Sequence, residues 1–475
     1  MVSHLFELDQ MGALNRLFAL AIGLLGVLII GYWCLNSPDI SSMVPDSSSY
    51  LEFQPFRGAG YPLFLDAVRL FDNDLSSIQY WQLGLLIISL GMLAYSFATF
   101  SGSAFVAFAI MIGAGLHPQY IRYCFTVLSE PLFFASLNIL IALQMRQNFD
   151  TKRYWFCTGA LLAWLILIKG VAWALVCVPV VVLINQLLSR DSDICKPIFK
   201  HLVVLLIGFT LITSAGMVYR FAHHGTVKAE PFLGNQLIGK MSLTEVNPAE
   251  TSFPKSVELW QQEMAPVIQA KNKGFSDDWD EQFLFSLNYY DYLRFVGAED
   301  MLAVSGSKLG RLEFQSQLAS ELLLIAPDAY FKDVAINFYA LWTQGQLQTR
   351  AFAKQYNAQL DNLPTAPSNT LPPYYLNETG QIAAYVIKPF LTLTFFINAL
   401  CLLYGLGFWL RKNAIPKPVM PLFITCLTIQ AYYLLVALLQ AALVRYMIPM
   451  WPLLLISALL STSILLKNAR WGAKH

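Results

Sequence analysis

The side chains best suited to chemistry in this chain are a few acids, cations and phenols that interrupt otherwise apolar sequence. Asp46 and Tyr50 stand in the segment Pro45 to Phe53, Arg57 and Tyr61 follow it, and His117, Arg122, Glu130, Lys169, Arg445 and Tyr446 lie at the borders of later apolar runs. A carboxylate such as Asp46 can take the proton of a hydroxyl as that hydroxyl attacks, a contribution of roughly 10²–10⁴ in rate. The same carboxylate would equally cap a surface helix beginning near Ser47. Arg57 and Arg445 each offer a planar donor fork that matches phosphate oxygens, while Lys169 offers charge without the fork. Cations at helix ends also reach toward lipid headgroups, and that reading stands beside the first. Glu130, in Ser129-Glu130-Pro131, is either a first-turn acid behind a serine cap or a partner for His117, Arg122 or a metal ion. His117 before Pro118, and the pair His223 and His224, suit interfacial positions or metal and proton traffic, but no third ligand stands at a fixed spacing.

The elements that must position these residues are membrane helices. The 475 residues are 56% hydrophobic and 13% charged, against about 25% charged in soluble domains, which excludes an ordinary soluble enzyme. Apolar blocks of spanning length predict an all-α polytopic membrane protein with about ten transmembrane helices, near 14–36, 78–100, 103–117, 130–146, 154–168, 170–188, 201–221, 386–410, 418–440 and 444–466. The first block, Arg16 to Leu35, is read as a retained helix, because Tyr32, Trp33 and Cys34 make a poor cleavage site.

Counting cations in the short connections orients the chain. With the N-terminus cytoplasmic, twelve fall inside: Arg146, Lys152 and Arg153; Arg190, Lys196 and Lys200; Arg411, Lys412 and Lys417; Lys467, Arg470 and Lys474. About five fall outside, namely Arg57, Arg69, Arg122, Lys169 and Arg445. Both termini are then cytoplasmic, and the first outer loop, 36–77, carries an amphipathic stretch from Tyr61 to Phe71 with Asp66 and Arg69 on one face. The chain divides into a transmembrane module over 1–221, an external domain over 222–386 and a three-helix module over 387–475. The external segment has 11 basic and 18 acidic residues, a balance of −7, and its helical periodicity over 313–341 predicts a mainly helical domain. Pro, Asn and Ser cluster in 362–373.

The first outer loop reads PDSSSYLEF (Pro45 to Phe53) and then RGAGYPLFLDAVRLF (Arg57 to Phe71). It is similar to the acid-then-tyrosine and R-x-x-x-Y-P pattern of the GT-C membrane glycosyltransferases, and resembles in particular their protein mannosyltransferase and lipid A aminoarabinose transferase group. LSEPLFF (Leu128 to Phe134), LILIKGVAW (Leu165 to Trp173) and VRYMIPMWPLL (Val444 to Leu454) follow in the same order, with Lys169-Gly170 where that group often has Arg-Pro. The resemblance covers roughly 14–221 and 386–466. It implies a GT-C-type arrangement and transfer of a sugar, with inversion, from a polyprenyl-phosphate donor to a glycan, lipid or protein acceptor on the extracytoplasmic side of a cell membrane, for this group the bacterial inner membrane. Asp46 would then be the catalytic base, Arg57, Lys169 and Arg445 would hold the donor phosphate, and Tyr50, Tyr61, His117, Arg122, Glu130 and Tyr446 would support them. No cofactor is assigned, and a divalent metal is left open.

Two other readings use the same features. A transporter or flippase of a lipid-linked glycan would place charges or broken helices near the midplane, whereas most span interiors here are nearly free of charge. A polymerase or ligase that moves a whole lipid-linked glycan would use similar cations on the same side. The net charge of +1 gives no argument for a nucleic-acid partner. Asp191-Ser192-Asp193 spells a D-x-D in a short inner loop, Gly405-Leu406-Gly407 lacks the setting of a dinucleotide site, and Asn377-Glu378-Thr379 is a formal glycosylation sequon. The seven cysteines lie in or beside apolar blocks, without disulfide or zinc spacing.

Overall fold

The structure, a computed structural model, describes residues 2–38, 41–146, 149–188, 195–230, 232–274, 279–343 and 378–472. Among these residues the fold is all-α, with a single isolated parallel bridge between Ser42 and Thr126. The D-x-D, the sequon asparagine and the 362–373 cluster lie outside the described residues.

The chain forms two units. The first comprises Met1–Lys228, Thr394–Tyr432 and Pro449–His475; the second comprises Ala229–Leu393 and Tyr433–Ile448. The first unit is built from α1 (Val2–Asn36), α2 (Pro45–Leu51), α3 (Gly60–Arg69), α4 (Ile78–Ser101), α5 (Ala104–Gly115), α6 (Pro118–Ile121), α7 (Glu130–Met145), α8 (Lys152–Ile168), α9 (Cys177–Leu188) and α10 (Cys195–His224). Seven helical segments among the described residues are long and apolar enough to cross a membrane, or eight if α5 and the Pro118–Phe125 segment, bent by 66°, count as one crossing. All ten segments expected from the sequence contain helix. However, α7 and α8 have 16 and 17 residues, so at about 1.5 Å per residue they fall short of a hydrocarbon core of about 30 Å.

Outward-facing apolar side chains show what surrounds the first unit. Leu17, Leu20, Leu24, Val27 and Leu28 of α1 are 61–69% exposed, a stripe that water would penalise and lipid covers. In contrast, 14 of the 16 residues of α7 are buried, making it the central helix of the unit. Its Asn138 amide donates to the Tyr120 hydroxyl (2.9 Å) and to Ser89 Oγ (3.2 Å), which satisfies a polar group that lipid could not. Helices α8 and α10 meet backbone to backbone at Gly159 and Gly208. A Cβ on Gly159 would stand 2.0 Å from the Leu205 carbonyl oxygen, and one on Gly208 2.3 Å from that of Phe156, so only glycine permits this approach.

The second unit contains α11 (Leu233–Lys240), α12 (Pro254–Gly274), α13 (Trp279–Tyr289), α14 (Ala298–Ser305), α15 (Arg311–Ile325) and α16 (Pro327–Thr343). These helices enclose Val257, Trp260, Phe285, Leu293, Phe314 and Leu318, consistent with the helical periodicity read over 313–341. The Trp260 indole N–H donates to the Ser242 carbonyl at 3.1 Å, so this large side chain buries its polar atom with a partner. Helix α17 (Glu378–Leu410), α18 (Met420–Leu439), α19 (Val444–Met447) and α20 (Trp451–Gly472) complete the chain. Sequence order places breaks at 221 and 387, whereas packing draws 433–448 into the second unit. There the Tyr330 hydroxyl donates to the Leu438 carbonyl (2.8 Å), and the Ala442 amide donates to Asn337 Oδ1 (2.8 Å).

Candidate functional site

The segment between α1 and α4 is held in place by its own polar side chains. Val44 caps α2 from an extended conformation, with its N–H donating to Ser47 Oγ (3.0 Å), and Ser47 Oγ in turn donates to the Val127 carbonyl (2.9 Å). Backbone bonds from Ser42 N to Phe125 O (2.8 Å) and from Val127 N to Ser42 O (3.2 Å) tie the loop to the strand-like stretch before α7. Asp46 therefore sits in the first turn of α2, one residue inside the helix, and is not its cap.

Beyond α2 the chain reverses at Phe53, which takes a left-handed conformation with φ of 47° and packs its ring on Tyr219 and His224 at 5.1 and 4.7 Å. Arg57 returns over Asp46. Its Nη2 donates to Asp46 Oδ1 (2.6 Å), its Nη1 to the Tyr50 hydroxyl (3.2 Å) and its Nε to Ser49 Oγ (2.8 Å). Arg220 of α10 fixes the same turn by donating to the Pro55 carbonyl (2.6 Å) and to that of Arg57. Gly58 then meets the end of α8 so closely that a Cβ there would lie 2.2 Å from the Leu167 carbonyl oxygen.

The other half of the site comes from α7 and the end of α8. Ser129 holds the N-cap position of α7, but its side chain makes no cap bond; its Oγ pairs with the Tyr50 hydroxyl at 2.9 Å. Glu130, the next residue, is buried, with its side chain 2% exposed, and Oε1 accepts from Lys169 Nζ at 2.7 Å. Glu130 Oε2 is also buried and has no hydrogen-bond partner. Lys169 interrupts the helix in an extended conformation (φ −148°, ψ 125°) before the 3-10 turn Gly170–Val176, and this break turns its ammonium toward α7.

Tyr50 joins the two halves. Burial pushes its phenol above the usual tyrosine range; Arg57 opposes the shift, Glu130 adds to it, Lys169 opposes it and Asp46 adds to it, so all four charges act on one hydroxyl. Side-chain exposure falls from Asp46 at 33% through Arg57 at 17% and Lys169 at 11% to Glu130, which makes Asp46 the most accessible of the four. Such an arrangement can accept a proton at a partly exposed carboxylate, with Arg57 beside it and Lys169 acting on the same tyrosine.

The remaining sequence candidates are placed differently. Tyr61 packs edge-on against Tyr50 (5.1 Å) and donates to Gln82 Oε1 (2.9 Å), while Gln82 Nε2 donates to the Cys124 and Thr126 carbonyls. Tyr61 is thus a buried support. His117 caps α6 through Nδ1, accepting from the Tyr120 amide, and packs on Trp451 at 4.7 Å, while Arg122 lies over the Tyr123 ring at 5.1 Å. The partner found for Glu130 is Lys169, not His117 or Arg122. Arg445 and Tyr446 belong to the second unit, where the guanidinium lies over the Tyr446 ring at 5.2 Å. Asp66 pairs with Arg69 (2.7 Å) on one face of α3, as the amphipathic pattern implies, and accepts from the Tyr219 hydroxyl at 2.5 Å. Among the described residues no group of three or more His, Cys, Asp or Glu side chains is arranged to hold a metal ion.

Ser49, Gln82, Ser129 and Arg220 are the connectors that sequence reasoning missed. Of these, Arg220 carried a local signal as a cation near the end of an apolar span, and Ser129 carried one that pointed to a cap. Comparison of the chain with known protein families, with characterised proteins and with solved structures finds no match.

Proposed function

We propose that the protein is a membrane glycosyltransferase of GT-C type that moves a sugar from a polyprenyl-phosphate donor to an acceptor hydroxyl. The observation that carries this reading is the joining of Asp46, Arg57 and Tyr50 to the buried Glu130–Lys169 pair within an otherwise apolar helical unit. Charges in such a setting are costly, and paired charges gathered there mark a candidate reaction site. In the same proposal the chain crosses a cell membrane ten times, with both termini in the cytoplasm and the reaction on the extracytoplasmic side.

The chemistry is a single displacement. The acceptor oxygen bonds to the anomeric carbon as the bond from that carbon to the phosphate oxygen breaks. The bonding electron pair leaves on the phosphate, the hydroxyl proton passes to Asp46, and configuration inverts. Arg57 and Lys169 already have carboxylate partners, so they receive the phosphate by sharing or exchanging those contacts. Glu130 holds Lys169 in place, and Tyr50 and Ser129 hold Arg57 and the loop against α7.

Two measurements test the proposal. Asp46→Asn keeps the side-chain shape and removes the base, so transfer is expected to fall by roughly 10²–10⁴ with expression and thermal stability retained. Activity within a few-fold of wild type rejects Asp46 as the base. Mass spectrometry of lipid that copurifies with the protein separates the rival readings. A polyprenyl monophosphate carrying one sugar supports transfer, a pyrophosphate carrying a glycan supports a polymerase or ligase, and absence of any such lipid supports neither enzyme.

A further inference from the structure

The second unit holds a cavity of about 90 Å³ that the transfer chemistry does not use. A single water needs about 10–15 Å³ on the same measure, so the space admits a group of several heavy atoms. Its charged lining runs against the character of the domain around it. The 222–386 segment is acidic by a balance of −7, yet among the described residues Lys240, Lys271 and Lys332 line the cavity with one acid, Asp333, a balance of +2.

Among the described residues Asp333 is the acid that faces these cations. Lys240, with its side chain 1% exposed, donates to Asp333 Oδ2 at 2.7 Å, and Asp333 also accepts from the Asn337 amide at 2.9 Å. Lys271 donates to a neutral group, the Leu243 carbonyl, at 3.0 Å. Lys332 is exposed and marks the solvent side. Ser242 supplies a second kind of observation: its hydroxyl lines the cavity, is 1% exposed and has no hydrogen-bond partner, while its carbonyl is fixed by Trp260. Buried hydroxyls are nearly always paired, so this one can serve an atom that enters the cavity.

We propose that this cavity binds a phosphate group, either as the free dianion or as a monoester. A phosphate monoester carries about −1.5 to −2 at neutral pH and several acceptor oxygens, which matches a lining of ammonium and hydroxyl donors with a balance of +2. A carboxylate would leave the lining positive and supply fewer acceptors. Burial holds the Lys240 and Lys271 ammoniums below the usual lysine range, with Asp333 opposing the shift in both, and a bound dianion would relieve that penalty. The site stands whether or not the transfer reaction proposed above is correct, because its readout is binding.

The full chain in detergent is titrated with inorganic phosphate by calorimetry at low ionic strength. Saturable one-site binding is expected at or below about 1 mM. Lys271→Gln and Lys332→Gln are each expected to weaken it about tenfold or more, with unfolding temperatures close to wild type. Lys332 is exposed, so its variant keeps the test open if Lys271→Gln folds poorly. Absence of saturable binding, equal affinity for acetate, or affinity unchanged in both variants overturns the proposal. Glycerol phosphate and dodecyl phosphate then compete against inorganic phosphate to identify the source. Displacement by the first supports a soluble phosphorylated ligand, displacement by the second alone supports a lipid headgroup, and displacement by neither supports free phosphate.

Discussion

Glu130 and Lys169 are largely withdrawn from solvent and pair with each other at 2.7 Å. Lys169→Met leaves the buried Glu130 carboxylate without its cation, at a cost of about 3–5 kcal/mol, and Glu130→Gln takes a charged partner from the buried Lys169 ammonium. The double variant, with both charges gone, is expected to recover much of that loss. Thermal unfolding of the purified protein checks this: two low single-variant midpoints and a higher double-variant midpoint fit the pair, whereas additive losses would mean the two residues act separately. Asp46 differs in kind, because a third of its side chain is exposed and its loss should affect turnover more than stability. The identity of these residues as candidates was legible in sequence, since an acid or cation at the border of an apolar run is conspicuous. Their pairing was not. Glu130 and Lys169 are 39 positions apart, and Asp46 with Arg57 could have been capping and anchoring residues until the turn at Phe53 placed one over the other.

At the level of elements, the site depends on how the first loop docks. Gly58 allows the loop backbone to touch the end of α8, two residues before Lys169, so Gly58→Ala must push the loop away from Leu167. Loss of most transfer activity with little loss of helical content is expected, together with faster proteolysis of the 37–77 loop. Gly84→Ala, where a Cβ meets nothing within 4 Å, is the matched control and should behave as wild type. Unchanged activity in Gly58→Ala would show that the close approach has no part in forming the site. The R-x-x-x-Y-P spacing was readable in the sequence, and so was α3 with its Asp66–Arg69 face. What escaped was the role of glycine as a contact surface, because the atom it must avoid lies more than a hundred positions away. Ser129 misled for a similar reason: serine before a helix signals a cap locally, but Tyr50 offers it a partner from another element.

For the molecule as a whole, the cation count makes a direct prediction of topology. Single cysteines at Ser48, Ser252, Asn148 and Asn413 on a cysteine-free background can be probed with an impermeant thiol reagent in intact cells. Labelling is expected at Ser48 and Ser252 and not at Asn148 or Asn413. The opposite pattern would place Asp46 in the cytoplasm and remove the argument for a lipid-borne donor. Span existence was legible from hydropathy, whereas span completeness was not, because α7 is apolar by being central and too short to need lipid on every side. The division into units was only partly legible, since nothing in residues 433–448 announces that they pack with a domain that began some two hundred positions earlier. That last feature bears on the order of events during synthesis. Tyr330, Asn337 and the phosphate cavity all take a contact or a wall from 438–442, so the second unit stays unfinished when its main segment emerges. At about 5–20 residues per second the missing piece arrives seconds later, once most of the membrane helices have already been made. During that interval the nascent domain has an open flank, which makes it a natural client for whatever chaperone guards the compartment into which it is delivered.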